Sequence, residues 1–179
     1  MMHEVIIAGF GGQGVMLMGQ LLAYSSMLED KNVSWLPSYG PEMRGGTANC
    51  MVKVSESPVA SPLITAPTAL VAMNLPSLLK FADSVKEGGV IIYNSSLIEE
   101  DEYEREGIRI LPIPVNDLAS ELGNARVANI IALGCLLATE GICEKESVID
   151  SLKNVLPERH HHLLPLNEKA LDKGYTLAK

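Results

Sequence analysis

The stretch Glu4–Leu28 reads EVIIAGFGGQGVMLMGQLLAYSSML, and the fold turns on how it is read. Val5-Ile6-Ile7-Ala8 runs apolar without alternation and includes β-branched side chains. That is the pattern of a strand buried on both faces of a parallel sheet. Gly9-Phe10-Gly11-Gly12-Gln13-Gly14 then has the spacing GxGxxG between this strand and a helix expected over Val15–Leu28. The backbone must turn sharply here and approach a ligand or the next helix closely, which favours glycine. The free N–H groups at the helix start attract an anion. Three uses of the loop remain open at this point: a tight turn that binds nothing, a phosphate, carboxylate or nucleotide site, and a subunit contact.

The rest of the chain continues the alternation. Strands are expected over Asn32–Pro37, Thr47–Ser55, Ala69–Met73, Val90–Asn94 and Ile108–Pro112. Helices are expected from Pro76 to about Val85, then over Asp117–Leu122, Ala125–Thr139, Lys145–Leu156 and Pro165–Leu171, with a polar tail beyond. Pro76 suits the first turn of its helix. Ser57–Pro67 holds three prolines and reads as a loop; Glu99–Glu106 is charged and reads as solvated loop or a short helical turn. The order implies an α/β fold: three-layer and Rossmann-like, with a mostly parallel sheet and helices on both faces. Residues 1–179 form one expected domain, with no internal repeat and no separating linker. The nearly all-apolar Ala125–Thr139 helix must be buried in the core or under a partner, so a homodimer of the isolated chain is a further expectation.

Composition excludes several classes. With 47% hydrophobic residues, the chain is too apolar to be disordered. Twenty-two acids against 14 bases give a net charge of −8, which disfavours a nucleic-acid role. No apolar run reaches transmembrane length, and the N-terminus lacks a basic targeting region, so a cytoplasmic protein is expected. Cys50, Cys135 and Cys143 are far apart, form no CxxC, and match no zinc or iron–sulfur spacing; Cys50 and Cys135 read as core thiols. The run His160-His161-His162 is read as a solvated or helix-terminal tract, because three adjacent side chains on a regular helix cannot face one ion. Ser25-Ser26 and Ser95-Ser96 have no histidine partner at suggestive spacing, no GxSxG elbow occurs, and Val15 stands where a Walker lysine would follow the loop. No catalytic residue and no metal ligand is therefore assigned.

A dinucleotide site needs an acid at the end of the second strand to hold the ribose. That strand ends at Leu36-Pro37-Ser38, and Glu29 and Asp30 precede it, which argues against a dehydrogenase. The strand runs instead into a second unusual cluster, Ser38-Tyr39-Gly40-Pro41-Glu42-Met43-Arg44-Gly45-Gly46-Thr47. It is expected at the same strand-end rim as the glycine loop. Gly45-Gly46 permits close backbone approach, and Arg44 offers a fork of donors for carboxylate or phosphate. The candidate binding residues are Gly9, Gly11, Gly12, Gln13, Gly14, Tyr39, Arg44, Gly45 and Gly46.

With both loops quoted, the chain resembles the gamma subunit or gamma domain of the 2-oxoacid:ferredoxin oxidoreductases, of the 2-oxoglutarate, pyruvate or 2-ketoisovalerate type. Those proteins show GxGGQG and then, about 25 residues later, an SYGPExRGG-like segment; Asn94-Ser95, Asn129, Asn167, Ala170 and Gly174-Tyr175 extend the likeness over nearly the whole chain. The resemblance implies a complex of anaerobic metabolism that oxidatively decarboxylates a 2-oxoacid, with 2-oxoglutarate or a relative in first place, to an acyl-CoA, with ferredoxin as electron acceptor. Thiamine diphosphate, Mg2+ and [4Fe-4S] clusters would belong to alpha, beta and delta subunits rather than to this chain. Coenzyme A would pass near Gly11–Gly14 and Arg44. The indolepyruvate oxidoreductase beta-type subunit is the nearest alternative, and a free-standing nucleotide-binding domain is another.

Overall fold

Val5, Ile6, Ile7 and Ala8 are all buried, because β1 (Met2–Phe10) runs through the middle of a six-stranded sheet. The computed structural model describes residues 1–40, 46–99 and 104–179. Residues 41–45, with Arg44 and Gly45 of the second candidate cluster, and residues 100–103 of the charged segment lie outside the described residues.

From β1, helix α1 (Val15–Leu28) carries the chain over the sheet to β2 (Asn32–Tyr39). The return, β3 (Thr47–Ser55), lies between β1 and β2 and pairs antiparallel with both. β4 (Ala69–Ala72), β5 (Val90–Asn94) and β6 (Arg109–Ile113) then add in parallel on the other side of β1. The order is β2-β3-β1-β4-β5-β6. The sheet is thus mixed: five strands run the same way, as the expected mostly parallel arrangement requires, and β3 alone runs against them. The cause is the short link between β2 and β3: it leaves no room for a crossover helix, and strands joined so briefly run antiparallel. Both edge strands carry a proline, Pro37 in β2 and Pro112 in β6. A missing N–H at the edge discourages pairing with another chain.

The two faces of the sheet are covered unequally. Val5, Ile7, Cys50, Val52, Val71 and Ile92 face a large cluster shared with α1, α3 (Val115–Glu121) and α4 (Ala128–Glu140). Ile6, Ala8, Leu70, Ile91 and Tyr93 face a smaller one, closed by α2 (Leu75–Phe81) together with Ile64 and Ile98. On the larger side, α5 (Lys145–Val155) packs on α1, and α6 (Leu164–Leu177) packs on α4. Helix α4 is therefore enclosed between the sheet and an outer helix. That explains why every residue from Ala128 to Leu137 is buried, and it removes the reason for expecting a second copy of the chain over this helix. Helix α6 runs past Leu171 to Leu177, because Asn167, Ala170, Leu171 and Gly174 continue its buried stripe.

At the opposite end of β1 from the glycine loop, Glu4 pairs with Lys53 at 3.1 Å and with Lys86. Partial burial works against its charge, but the two ammonium groups hold the carboxyl below its ordinary range.

Candidate functional site

The glycine loop leaves β1 at Phe10 and enters α1 at Gly14. Gly14 caps the helix in the left-handed region, at φ +75°, and Gly12 lies at φ +93°. Residues with a Cβ meet their own carbonyl in that region, which is the physical content of the spacing. No side chain caps the start of α1, and no acidic residue lies in its first turn. The 14-residue helix therefore presents its positive end outward, as anion sites at helix starts do.

Three side chains fix this loop. Gln13 turns inward: its Oε1 accepts from the N–H of Phe10 at 2.7 Å and from Nδ2 of Asn74 at 2.9 Å, while its Nε2 donates to the carbonyl of Met73 at 3.1 Å. Gln13 thus ties the loop to the end of β4. Asn74 also caps α2, accepting from the N–H of Ser77 at 3.0 Å. Asn129, buried in the first turn of α4, donates to the carbonyl of Gly14 at 3.3 Å. A Cβ on Gly14 would stand 2.3 Å from its Nδ2. This largely part-buried network holds the loop in place through several side-chain bonds at once.

The two candidate loops meet. The N–H of Gly11 donates to the carbonyl of Gly46 at 2.9 Å, and Phe10 is in register with Thr47. Tyr39, 71% exposed, joins Phe10, Met16 and Leu17 around a mostly apolar hollow of about 250 Å³ on one side of the loop. On the other side is a crevice of about 350 Å³, bounded by Gly12–Gly14, Asn116 and the start of α4. Gly9, Gly11, Gly12, Gln13, Gly14, Tyr39 and Gly46 are thereby brought to one rim of the sheet. The interposed β3 places the end of β2 two strand spacings, about 10 Å, from β1 instead of one. The ribose-binding place of a dinucleotide fold is lost in geometry as well as in sequence.

Reading the sequence did not single out Asn74, Asn116 or Arg126. Asn74 stands just before Pro76 at a strand end, which is a legible capping signal. Asn116 and Arg126 reach the loop from a distant part of the chain and carry no local signal.

A family model for pyruvate ferredoxin/flavodoxin oxidoreductase matches residues 4–177. The chain belongs to this family. It is 40% identical over 178 residues to the ketoisovalerate oxidoreductase subunit VorA of Methanothermobacter marburgensis, covering 98% of this chain and 36% of the relative. The chain thus spans about a third of the length of the first curated relatives it matches. The keto/oxoacid ferredoxin oxidoreductase gamma subunit of Geobacter sulfurreducens PCA superimposes with a TM-score of 0.83 at 29% identity, covering 98% of both chains. The 2-oxoglutarate:ferredoxin oxidoreductase of Magnetococcus marinus, solved with 2-oxoglutarate, coenzyme A and succinyl-CoA bound, superimposes with a TM-score of 0.86 at 25% identity, covering 99% of this chain and 31% of that one. The resemblance to the gamma-subunit type is thereby shown.

Cys50, Cys135 and Cys143 are all free and buried. Burial pushes the Cys50 and Cys135 thiols up to about 12, so both stay protonated at neutral pH. Three separate protonated thiols do not fit an iron–sulfur cluster, whose ligands are thiolates gathered at one point. Among the described residues, no three His, Cys, Asp or Glu side chains converge as metal ligands. The histidine tract lies on a 3-10 turn, Glu158–Leu163, where His161 Nε2 is 3.0 Å from the carbonyl of Leu156. Among the described residues, no helix is long and apolar enough to cross a membrane.

Proposed function

We propose that this chain is the gamma subunit of a cytoplasmic 2-oxoacid:ferredoxin oxidoreductase and supplies part of its coenzyme A site without holding the reaction centre. The observation that carries this reading is the rigid loop Gly9–Gly14, pinned to Gly46 at one sheet rim, with an uncapped helix start behind it. The bound coenzyme A in the structurally similar Magnetococcus marinus enzyme supports it. Thiamine diphosphate with Mg2+ and the [4Fe-4S] clusters would lie in the alpha, beta and delta partners, which also pass electrons to ferredoxin. The substrate is a 2-oxoacid, with 2-oxoglutarate placed first.

In this division of labour, the chain orients one reactant. A fixed loop of backbone donors holds the phosphates of the thioester-forming cofactor, so its thiol reaches an acyl group elsewhere in the complex without an entropic search. The apolar rim of Phe10, Met16, Leu17 and Tyr39 serves as the contact with a partner subunit. Arg44 and Gly45, in the same cluster by sequence, are assigned to the cofactor side.

Co-expression with the companion subunits tests this. The purified complex should contain iron and thiamine and reduce ferredoxin in the presence of a 2-oxoacid and coenzyme A. Arg44→Ala should raise the KM for coenzyme A or weaken assembly while leaving the isolated fold intact. Unchanged assembly and coenzyme A dependence in that variant would overturn the assigned role.

A further inference from the structure

Helix α1 is half on the surface, yet Val15–Leu28 contains no charged residue. The neighbouring outer helix α5 carries Lys145, Glu146, Asp150 and Lys153. A helix face left to water is normally polar or charged. The side chains of α1 that the fold does not bury are Met16, Leu17, Gln20, Tyr24, Met27 and Leu28. At 3.6 residues per turn, these positions share one stripe. Met27 is 59% exposed and Leu28 50%.

The stripe reads alike from either end. An apolar pair, Met16 and Leu17, comes first; then Gln20, then Tyr24, then a second apolar pair, Met27 and Leu28. A second α1 laid antiparallel across it, with the two-fold axis level with Leu22, sets Met16 against Leu28, Leu17 against Met27 and Gln20 against Tyr24. Each contact then occurs twice. The only polar side chains of the stripe fall opposite one another, so the Tyr24 hydroxyl can donate to the Gln20 carbonyl. The absence of charge matters for the same symmetry. A two-fold contact brings each patch near its own copy, so a charged patch repels itself. In a chain of net charge −8, the α1 face is a place where two copies meet without that cost.

Two depressions border the stripe. One is a groove of about 440 Å³ in which Gln20 and Tyr24 stand opposite Val33 and Trp35 of β2 and Val155 of α5; no charged side chain among the described residues lines it. The other is the hollow beside Leu17 already described.

We infer that the α1 face is a two-fold interface with a second copy of this chain. Tyr24 of the second copy fills the groove beside Gln20, and Met27 of the second copy covers the hollow beside Leu17. An aromatic anchor seated in a partner's pocket is the usual source of affinity in such contacts. Met16 and Leu17 also belong to the rim assigned above to a companion subunit. The two occupants exclude one another, so the dimer is the form of the chain outside the complex. The dimer does not rest on the proposed function: it is measured on this chain alone, whereas the companion contact is measured by co-purification.

The experiment is sedimentation equilibrium of the full chain across the micromolar range. Wild type should show a monomer–dimer equilibrium and nothing larger, because a two-fold contact closes on itself. Gln20→Lys and Tyr24→Glu should each weaken dimerisation by about 100-fold or more, since each change is met twice. An equal mixture of the two variants should associate again. In that mixed dimer, the introduced ammonium of one chain faces the introduced carboxylate of the other, and the second Gln20–Tyr24 contact is intact. Both positions are exposed, so circular dichroism of each variant should match wild type. Leu17→Glu with Met27→Lys is a second pair for the same mixing test, should either variant fail to fold. A wild type that stays monomeric, a dimer indifferent to both substitutions, assembly beyond two copies, or variant mixtures that do not recover would each overturn the inference.

Discussion

Glycine does two different jobs in this molecule, and the contrast separates function from packing. In the loop Gly9–Gly14, it permits a backbone conformation: Gly12 and Gly14 have positive φ, and the space beyond Gly12 is open. At the crossing of α4 and α6, Gly134 and Gly174 have ordinary helical backbones and permit an approach. A Cβ on Gly174 would lie 1.9 Å from the carbonyl oxygen of Ile131, and one on Gly134 would lie 2.3 Å from that of Leu171. The two helices touch through backbone there, and Cys135 Sγ donates to the carbonyl of Gly174 at 3.2 Å. At Gly12 the loop leaves open space where a ligand can come; the crossing leaves none.

The contrast can be broken most severely at the crossing. Gly174→Ala meets backbone atoms that cannot rotate away, so the helices must part. Urea unfolding should show a loss of at least about 3 kcal/mol. A loss under about 1 kcal/mol would show that the crossing is not the tight contact described.

Gly14→Ala comes next, at about 2 kcal/mol, with positive φ and the Asn129 contact acting together. Here the obstacle is a side chain. The double variant Gly14→Ala/Asn129→Ala should therefore be more stable than the sum of the single losses allows. Strict additivity would separate Asn129 from the loop. Gly12→Ala should cost only the backbone strain, about 1 kcal/mol, because nothing stands where its Cβ would go. In the assembled complex, its larger effect should fall on the KM for coenzyme A, if the open space beside the loop is where the cofactor approaches.

The smallest effect comes from a third place, the Glu4 pair at the far end of β1. Its carboxyl is held below the ordinary 4.5 in the folded chain. The unfolded chain therefore takes up the proton first as pH falls. The stabilisation is complete above about pH 4.5 and is lost as pH falls through the folded value. Stability followed by urea midpoint should change little from Glu4 between about pH 7 and about pH 5, and should decline below that. Glu4→Gln should remove this part of the acid slope.

Much of the fold was legible in the sequence, because local patterns carried it. The apolar run at Val5–Ala8, the strand Val90–Asn94 and the helix Val15–Leu28 all answered to period and turn chemistry. The strand order was not legible. Whether β3 pairs outside β2 or slips between β2 and β1 depends on pairings between segments far apart in sequence, such as Ile7 with Cys50 and Val71 on either side. No local pattern encodes that choice. The site divides in the same way. Gly9–Gly14 was visible as a motif, but Gln13 was read as a ligand contact, and its inward clamp on Met73 and Asn74 appears only once β4 stands beside β1.

By itself, the sequence determined where the backbone must turn, which segments must be buried, and that the three cysteines stand far apart with no CxxC between them. Those are properties of single residues and short spacings. Only the tertiary structure decided that the sheet is mixed, that α4 finds its apolar cover in α6, and that Asn116, Arg126 and Asn129 converge on the glycine loop. Each of these is a contact between segments far apart in the chain, whose cost in chain entropy is met only when the whole core closes at once.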